Sequence, residues 1–316
     1  MLFSLFCLLA ALSVSAANAD FVCEDYSPCT CEVFSSYGLV VRCGDPFNDQ
    51  LSVTIKDVQR VFNSTKARHL FWLDLLLSPE TGSEIVSIPA NLLGVKIVDR
   101  LGISCSAAVE FPSVFLEVDA KAFHSSIHKL GHFEVGGCDL SKWSMKFLAR
   151  MTRLVSLSVS RATQFQGFPP LASLSRIKSL RIYECAEFQH WSEIAQRFPR
   201  LESLYLDGNL QGDRLVNEVL SSVAFERNTL QQLSLWQSRL SRIPESLKYF
   251  SKLNYVNLFG NAIRSVPKGS LTFSPDISVT FLIFTNNIID TIEPGAFEGK
   301  FYFYLKTHFV YVDYYL

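Results

Sequence analysis

From residue 130 onward, apolar and polar positions alternate in short bursts that return at a steady interval. The clearest burst is Leu253–Ile263, LNYVNLFGNAI, with apolar residues at its first, fourth, sixth and eleventh positions and asparagine at its ninth. Alternation through Val256 and Leu258 is the period-two mark of a strand with one buried face. Asn261 falls where the chain must turn, and its amide can pair backbone groups that a loop leaves open. The burst begins anew at Leu130, Leu154, Ile177, Leu201, Leu230, Leu253 and Val279, at intervals of 24, 23, 24, 29, 23 and 26 residues. Two looser copies precede these, near Leu70–Leu75 and Val98–Ile103.

In outline the burst is L-x-x-L-x-L-x-x-N-x-L, the leucine-rich-repeat phrase. Its fourth and sixth positions run Phe133/Val135, Leu157/Val159, Leu180/Ile182, Leu204/Leu206, Leu233/Leu235, Val256/Leu258 and Leu282/Phe284. The ninth positions are Cys138, Ala162, Cys185, Asn209, Ser238, Asn261 and Asn287. Cysteine suits that place as a small buried residue with a weak donor. The pattern predicts an α/β fold, a right-handed leucine-rich-repeat solenoid of horseshoe form. A parallel sheet lines its concave side, and short helices and loops return along the convex side. Ser141–Met151 and Trp191–Arg197 have apolar spacing for short convex helices. In the longest repeat, Leu215, Val219 and Val223 share one helical face. Ile85–Leu93 resembles the back half of a repeat, and Phe297 is the expected apolar plug of the last return.

The ends differ from the middle. Residues 1–19 read as a secretory signal peptide: an apolar run, then Ala17-Asn18-Ala19 as the cleavage site before Asp20. The run is short for a span of about 20 residues, so a secreted, extracellular chain without membrane insertion is expected. Cys23, Cys29, Cys31 and Cys43 stand as C-x5-C-x-C-x11-C over 20–44. In a secreted protein that spacing reads first as a disulfide framework, in any of three connectivities. Such a cap is what a solenoid needs to cover the apolar end of its first repeat. Leu39–Arg42 is the expected cap strand. The solenoid, about eight to nine repeats, then occupies 45–299. Asp45–Thr65 is polar and carries no clear element, but Asn63-Ser64-Thr65 is an N-glycosylation sequon. Cys105, Cys138 and Cys185 remain. Cys105 could reach Cys138 in the following repeat, yet buried free thiols are the expectation for all three. Over 301–316 eight of sixteen residues are Phe or Tyr and no repeat register fits, so a truncated reading frame or an aromatic covering strand is expected.

Several phrases carry a resemblance. SPCTC at the cap, VDAKAFHSSIHKL, FPPLASLSRIKSL and the closing IEPGAF are similar to secreted arthropod leucine-rich-repeat proteins. Those proteins are often likened to the non-catalytic subunit of the deep-sea shrimp (Oplophorus-type) luciferase complex. The resemblance implies a scaffold or stabilising partner with no catalytic centre, and light emission is not expected. The cap also resembles that of extracellular leucine-rich-repeat proteins, which implies the pairs Cys23–Cys31 and Cys29–Cys43.

Charge and motifs narrow the function. Lys and Arg number 29 against 30 Asp and Glu, a net charge of −1, which gives no basic footprint for nucleic acid or an anionic membrane. His124, His128 and His132 with Glu134 have helical metal-ligand spacing, but the repeat register puts His132 on a strand and the others in a return. Cys138 after Gly136-Gly137 has no paired base and belongs to the core. No phosphate-loop, dinucleotide or nucleophile-elbow motif occurs. Neither an enzyme, a metal nor a cofactor is expected.

Function is therefore expected on the solvent-facing strand positions of the concave sheet. Aromatic residues gather there toward the C-terminal repeats: Tyr183, Trp236 and Phe259 at seventh positions, Tyr255 at a third and Tyr205 at a fifth. Asp207 and Asn257 supply polar contacts among them. Exposed rings on a sheet suit an interface with a secreted or cell-surface protein, although they also pack on one another as a cross-strand ladder. An extracellular pattern-recognition protein binding microbial glycan or lipid is the alternative.

Overall fold

The computed structural model describes residues 26–34, 38–44, 52–106, 113–143, 145–168, 170, 172–209, 212–227, 229–272, 280–298, 301–305 and 308–312. The expected signal peptide, Cys23 and Val279 lie outside the described residues, as does the side chain of Phe297. The chain divides into two units, 1–153 and 154–316. Each is a run of leucine-rich repeats in which a short parallel strand alternates with a return, and the fold class is the α/β leucine-rich-repeat solenoid.

The first unit contains β1 (Cys29–Phe34), β2 (Gly38–Cys43), β3 (His69–Leu77), β4 (Ile85–Ile88), β5 (Ile97–Cys105), β6 (Phe115–Val118) and β7 (His132–Gly136). β1 and β2 form an antiparallel cap, and β2, β3, β5 and β7 follow in parallel. On the return side β4 pairs with β6. Leu70 stands opposite Val98, Leu73 opposite Leu101, and Leu101 opposite Phe133, so the two looser copies keep the register of the clear ones. All of these residues are at most 2% exposed.

The second unit contains β8 (Ser156–Ser160), β9 (Ser179–Tyr183), β10 (Ser203–Tyr205), β11 (Gln232–Ser234), β12 (Tyr255–Asn257), β13 (Ser265–Val266), β14 (Leu271–Thr272), β15 (Thr280–Ile283), β16 (Thr291–Ile292), β17 (Phe297–Glu298), β18 (Phe301–Leu305) and β19 (His308–Val312). Strands β8 to β12, then β15, pair in sequence and in parallel, with every fourth position opposite the next. The fourth and sixth positions from Leu157 to Phe284 are at most 2% exposed. The aromatic tail continues the sheet: β18 pairs in parallel with β15, and β19 returns antiparallel along β18. Phe303 stands opposite Leu282, a fourth position, although the residue three before it, Lys300, is not the apolar one that a first position takes.

The ninth-position asparagines lock each repeat to the one before it. Asn261 Oδ1 accepts from the Leu240 N–H at 3.0 Å, and its Nδ2 donates to the carbonyls of Leu235 and Leu258, both at 2.9 Å. Asn287 repeats the arrangement, accepting from Ile263 N and donating to the Leu258 and Phe284 carbonyls. Asn209 does so with Cys185 N and the carbonyls of Ile182 and Asp207. Cys185 fills the same place with a thiol, its Sγ 3.6 Å from the Val159 carbonyl. It is free and buried, and burial pushes its pKa up to about 11, so it stays a neutral donor.

Three expectations change. Asp45–Thr65, read as featureless, includes a helix, Ile55–Ser64, that buries Val58, Val61 and Phe62. Its start is a capping box between Thr54 and Asp57, a spacing present in the sequence. The helix of the longest repeat, Asp213–Arg227, buries Val216, Val219, Leu220 and Val223, while Leu215 is half-exposed. Val219 and Val223 are thus buried as expected, and Val216 and Leu220 take the place of Leu215.

The third change concerns cysteine. Cys105 and Cys138 are joined in a disulfide, with Cα atoms 5.0 Å apart, rather than standing as free thiols. Ser104 lies opposite Gly136, so the residues that follow meet diagonally across adjacent turns. Gly137 permits the approach: at φ +65° it adopts the left-handed region, and a Cβ there would fall 2.9 Å from the Cys105 carbonyl oxygen. Cys29–Cys43 forms as the family resemblance implies, across β1 and β2, and Cys31 is also disulfide-bonded.

Asn261→Ala strands the Leu240 N–H and the Leu235 carbonyl of the preceding repeat, while the Leu258 carbonyl keeps Asn287 Nδ2, and it is expected to lower stability by about 2–3 kcal/mol in urea unfolding. Peptide mapping without reduction should recover Cys105 and Cys138 in one cross-linked pair. Cys185 should react with an alkylating reagent only after denaturation.

Candidate interaction face

The parallel register decides which side chains of the second unit share the outward face. Third positions align as Ser179, Ser203, Gln232, Tyr255 and Phe281, and fifth positions as Ser158, Arg181, Tyr205, Ser234 and Asn257. At seventh positions, just beyond the strands, Gly208 N–H donates to the Trp236 carbonyl and Gln237 N–H to that of Phe259, keeping the same stacking. Tyr183, Tyr205, Trp236, Tyr255, Asn257 and Phe259 all lie on this face and are half-exposed.

The rings touch one another. Tyr183 and Trp236 stack with centroids 5.9 Å apart and planes 12° from parallel, and Trp236 meets Phe259 edge-on at 5.8 Å. Tyr183 and Trp236 belong to repeats that are not adjacent; Asp207 holds the seventh position between them. Strands two places apart are separated by about 9.6 Å, so the two rings must lean together across the intervening repeat. Asp207 is only 7% exposed as a result. Its Oδ1 accepts from Ser234 Oγ at 2.5 Å and from Trp236 N at 2.9 Å. The side chain expected to contact a partner is thus engaged within the sheet, where it fixes the backbone that carries Trp236. The Trp236 indole nitrogen is buried with no acceptor among the described residues.

Polar groups frame the strip. Arg161 lies over the Tyr183 ring at 5.4 Å and pairs with Glu184 at 3.0 Å. Arg181 lies 4.8 Å over Tyr205, whose hydroxyl donates to Gln232 Oε1 at 2.5 Å. Asn257 Oδ1 accepts from Phe259 N at 3.0 Å, so it orients the ring two residues on. Burial raises the Tyr255 pKa, with Tyr205 and Asp207 adding to the effect. Phe281, beside Tyr255 and 40% exposed, extends the strip by one ring that the sequence reading left out.

The first unit carries a second outward cluster that the sequence reading missed. Trp72 lies between two guanidinium groups, Arg42 at 5.9 Å and Arg100 at 5.8 Å, and its Nε1 donates to Asp74 Oδ1 at 2.7 Å. Burial raises the Asp74 pKa, and Glu134 adds to the rise. Gly102 leaves room beside it: a Cβ there would fall 2.4 Å from Asp74 Oδ1, so the carboxylate would have to move. The third-position column Trp72, Arg100, His132 held the signal, visible once the two looser copies are put in register.

The remaining candidates disperse. His124 is in a 3-10 turn, His128 in the return after it and His132 on β7. Among the described residues no three His, Cys, Asp or Glu side chains gather to hold a metal ion. Asn63 is exposed near the end of the helix Ile55–Ser64. No helix among the described residues is long and apolar enough to cross a membrane.

Asp207 generates a pH test. Burial is the main cause of its raised pKa, while its hydrogen bonds and Arg181 oppose the rise. A carboxyl whose folded pKa exceeds its unfolded one takes up protons on folding, so it weakens the fold above that pKa and the penalty fades as pH falls. Asp207→Asn keeps an acceptor for Trp236 N without the charge. It should therefore be at least as stable as the parent in urea at pH 7, with that advantage shrinking toward pH 4.

No family model and no curated protein matches the chain. Among solved structures it is similar to a leucine-rich-repeat protein of Leptospira interrogans, with TM-score 0.40 and 18% identity over 75% of this chain and 58% of that one. An internalin of Listeria monocytogenes gives TM-score 0.34 and 13% identity over 77% and 89%. The TLR13–ssRNA13 complex gives TM-score 0.32 and 14% identity over 76% and 41%. The chain thus spans little more than half the length of the Leptospira protein. At such TM-scores these likenesses carry no inference about function, and the repeat register itself establishes the fold.

Proposed function

We propose that this chain is a secreted, non-enzymatic leucine-rich-repeat protein that binds another protein through the outward face of its second unit. In that role it is a scaffold or stabilising subunit of an extracellular complex. The observation that carries the reading is the half-exposed aromatic strip Tyr183, Trp236 and Phe259, continued by Tyr255 and Phe281. Large rings held in place by one another lose little conformational freedom when a partner covers them, which is what makes aromatic residues effective anchors.

Microbial glycan or lipid recognition is supported less well. A sugar ring packs on an open aromatic face, whereas Tyr183 and Trp236 direct theirs at each other and Arg161 lies over Tyr183. The disulfides Cys29–Cys43 and Cys105–Cys138 accord with an oxidising, extracellular setting.

The double variant Trp236→Ala, Phe259→Ala should lose at least tenfold in partner recovery from the native secretion, because aromatic anchors are commonly worth about 2 kcal/mol or more each. Its circular dichroism should match the parent. Undiminished recovery by a folded double variant would remove this face from the interaction, and saturable binding to a glycan array would turn the assignment to the alternative.

A further inference from the structure

Asn63-Ser64-Thr65 is the one N-glycosylation sequon in the chain, and the fold turns its asparagine outward. The helix Ile55–Ser64 buries Val58, Val61 and Phe62, so Asn63 in its last turn faces away from that stripe and is exposed. Beside it lies a depression of about 380 Å³, whose wall brings Asn63 together with Asn91, Gly94 and Val95 from the turn that leads into β5. Val95 is 76% exposed, more than any other large apolar side chain among the described residues. Gly94, at φ +56°, has nothing within 4 Å of where a Cβ would stand, so the depression is open on that side. A lone exposed valine is ordinary. One that shares an open depression with a sequon asparagine has a candidate cover.

We infer that Asn63 carries an N-linked oligosaccharide whose first sugar, an N-acetylhexosamine, lies in this depression against Val95. The inference rests on the secreted part of the function proposed above, and not on the aromatic strip, with which the depression shares no residue. Attachment forms a bond from Asn63 Nδ2 to the anomeric carbon of a sugar supplied as a lipid-linked oligosaccharyl pyrophosphate. The anomeric C–O bond breaks, the amide loses one proton, and the lipid pyrophosphate leaves with the bonding electron pair. Thr65 is only 8% exposed once folded, so the sequon is within an enzyme's reach before this part of the chain folds. After folding, the ring and acetamido methyl of the first sugar offer apolar surface to Val95. Its polar groups can pair with the side-chain amides of Gln59 and Asn91, which line the same wall. The volume is at the lower end of small-ligand pockets, which suits one sugar rather than a chain of them.

The test expresses the full-length chain in a secreting mammalian cell line. Peptide mass analysis of protein from the medium should find Asn63 glycosylated, and peptide-N-glycosidase should release the sugar. Thermal unfolding then reads the seat. Asn63→Gln should lower Tm by about 2–4 °C, the shift that uncovering part of one apolar side chain gives in a chain of this size. In a Val95→Ser background the same Asn63→Gln change should move Tm by less than half as much, because the sugar has lost its apolar contact. Should Asn63→Gln fail to accumulate, parent and Val95→Ser protein freed of sugar by the glycosidase complete the same comparison. Secreted protein with Asn63 bare overturns the inference and leaves the secreted reading standing. A chain retained in the cell with Asn63 bare overturns both. An equal Tm drop in the two backgrounds, or none in either, overturns the seating on Val95.

Discussion

Every repeat faces the same physical constraint: a strand, three to nine residues long among the described residues, ends in a turn whose backbone groups lie inside the protein, away from water. Burying them unpaired would cost more than the strand's own hydrogen bonds return. The ninth-position asparagines meet the constraint by reaching back, so that Asn209, Asn261 and Asn287 each pair an N–H and a carbonyl of the preceding repeat. The leucine-like fourth and sixth positions stack without interruption in these repeats, and equally where Ala162 or Ser238 holds the ninth place, so the asparagines add polar satisfaction to a stack that the apolar positions already make. Cys185 meets the same need in a weaker way, with a thiol that burial keeps neutral.

Regular stacking has a consequence on the other face. Once strands are in register, outward side chains have fixed spacings and can meet only by leaning. Tyr183 and Trp236 do so across Asp207, which converts a position that faces solvent by register into a buried one. The carboxylate then finds Ser234 and the Trp236 N–H, and the rings, the acid and the turn become one unit. Trp72, Arg42 and Arg100 make a different use of the same columns in the first unit, with charge on both sides of one indole.

Most of the repeat pattern is legible because strand periodicity and repeat length are both written in one dimension. The first to seventh columns follow from counting, and so does the membership of the aromatic face. What counting missed has specific causes. The helix Ile55–Ser64 is announced by a Thr54–Asp57 capping box and a Val58, Val61, Phe62 stripe, signals hidden by a polar surrounding. Leu215 yielded the buried face to Val216 and Leu220 because a helix's rotation is set by what it packs on.

Spacing along the chain was enough for the fold class and the inward positions, since both depend on local periodicity and on burial that any register-keeping stack must produce; the cap pair Cys29–Cys43 was implied by the resemblance, not by spacing. The joining of Cys105 and Cys138 needed three dimensions, because it depends on a glycine letting two turns approach diagonally. So did the sheltering of Asp207 beneath two rings and the meeting of Asn63 and Val95 on the wall of one cavity. Those facts concern distances between residues on different turns, and no periodicity along the chain encodes how far a side chain leans.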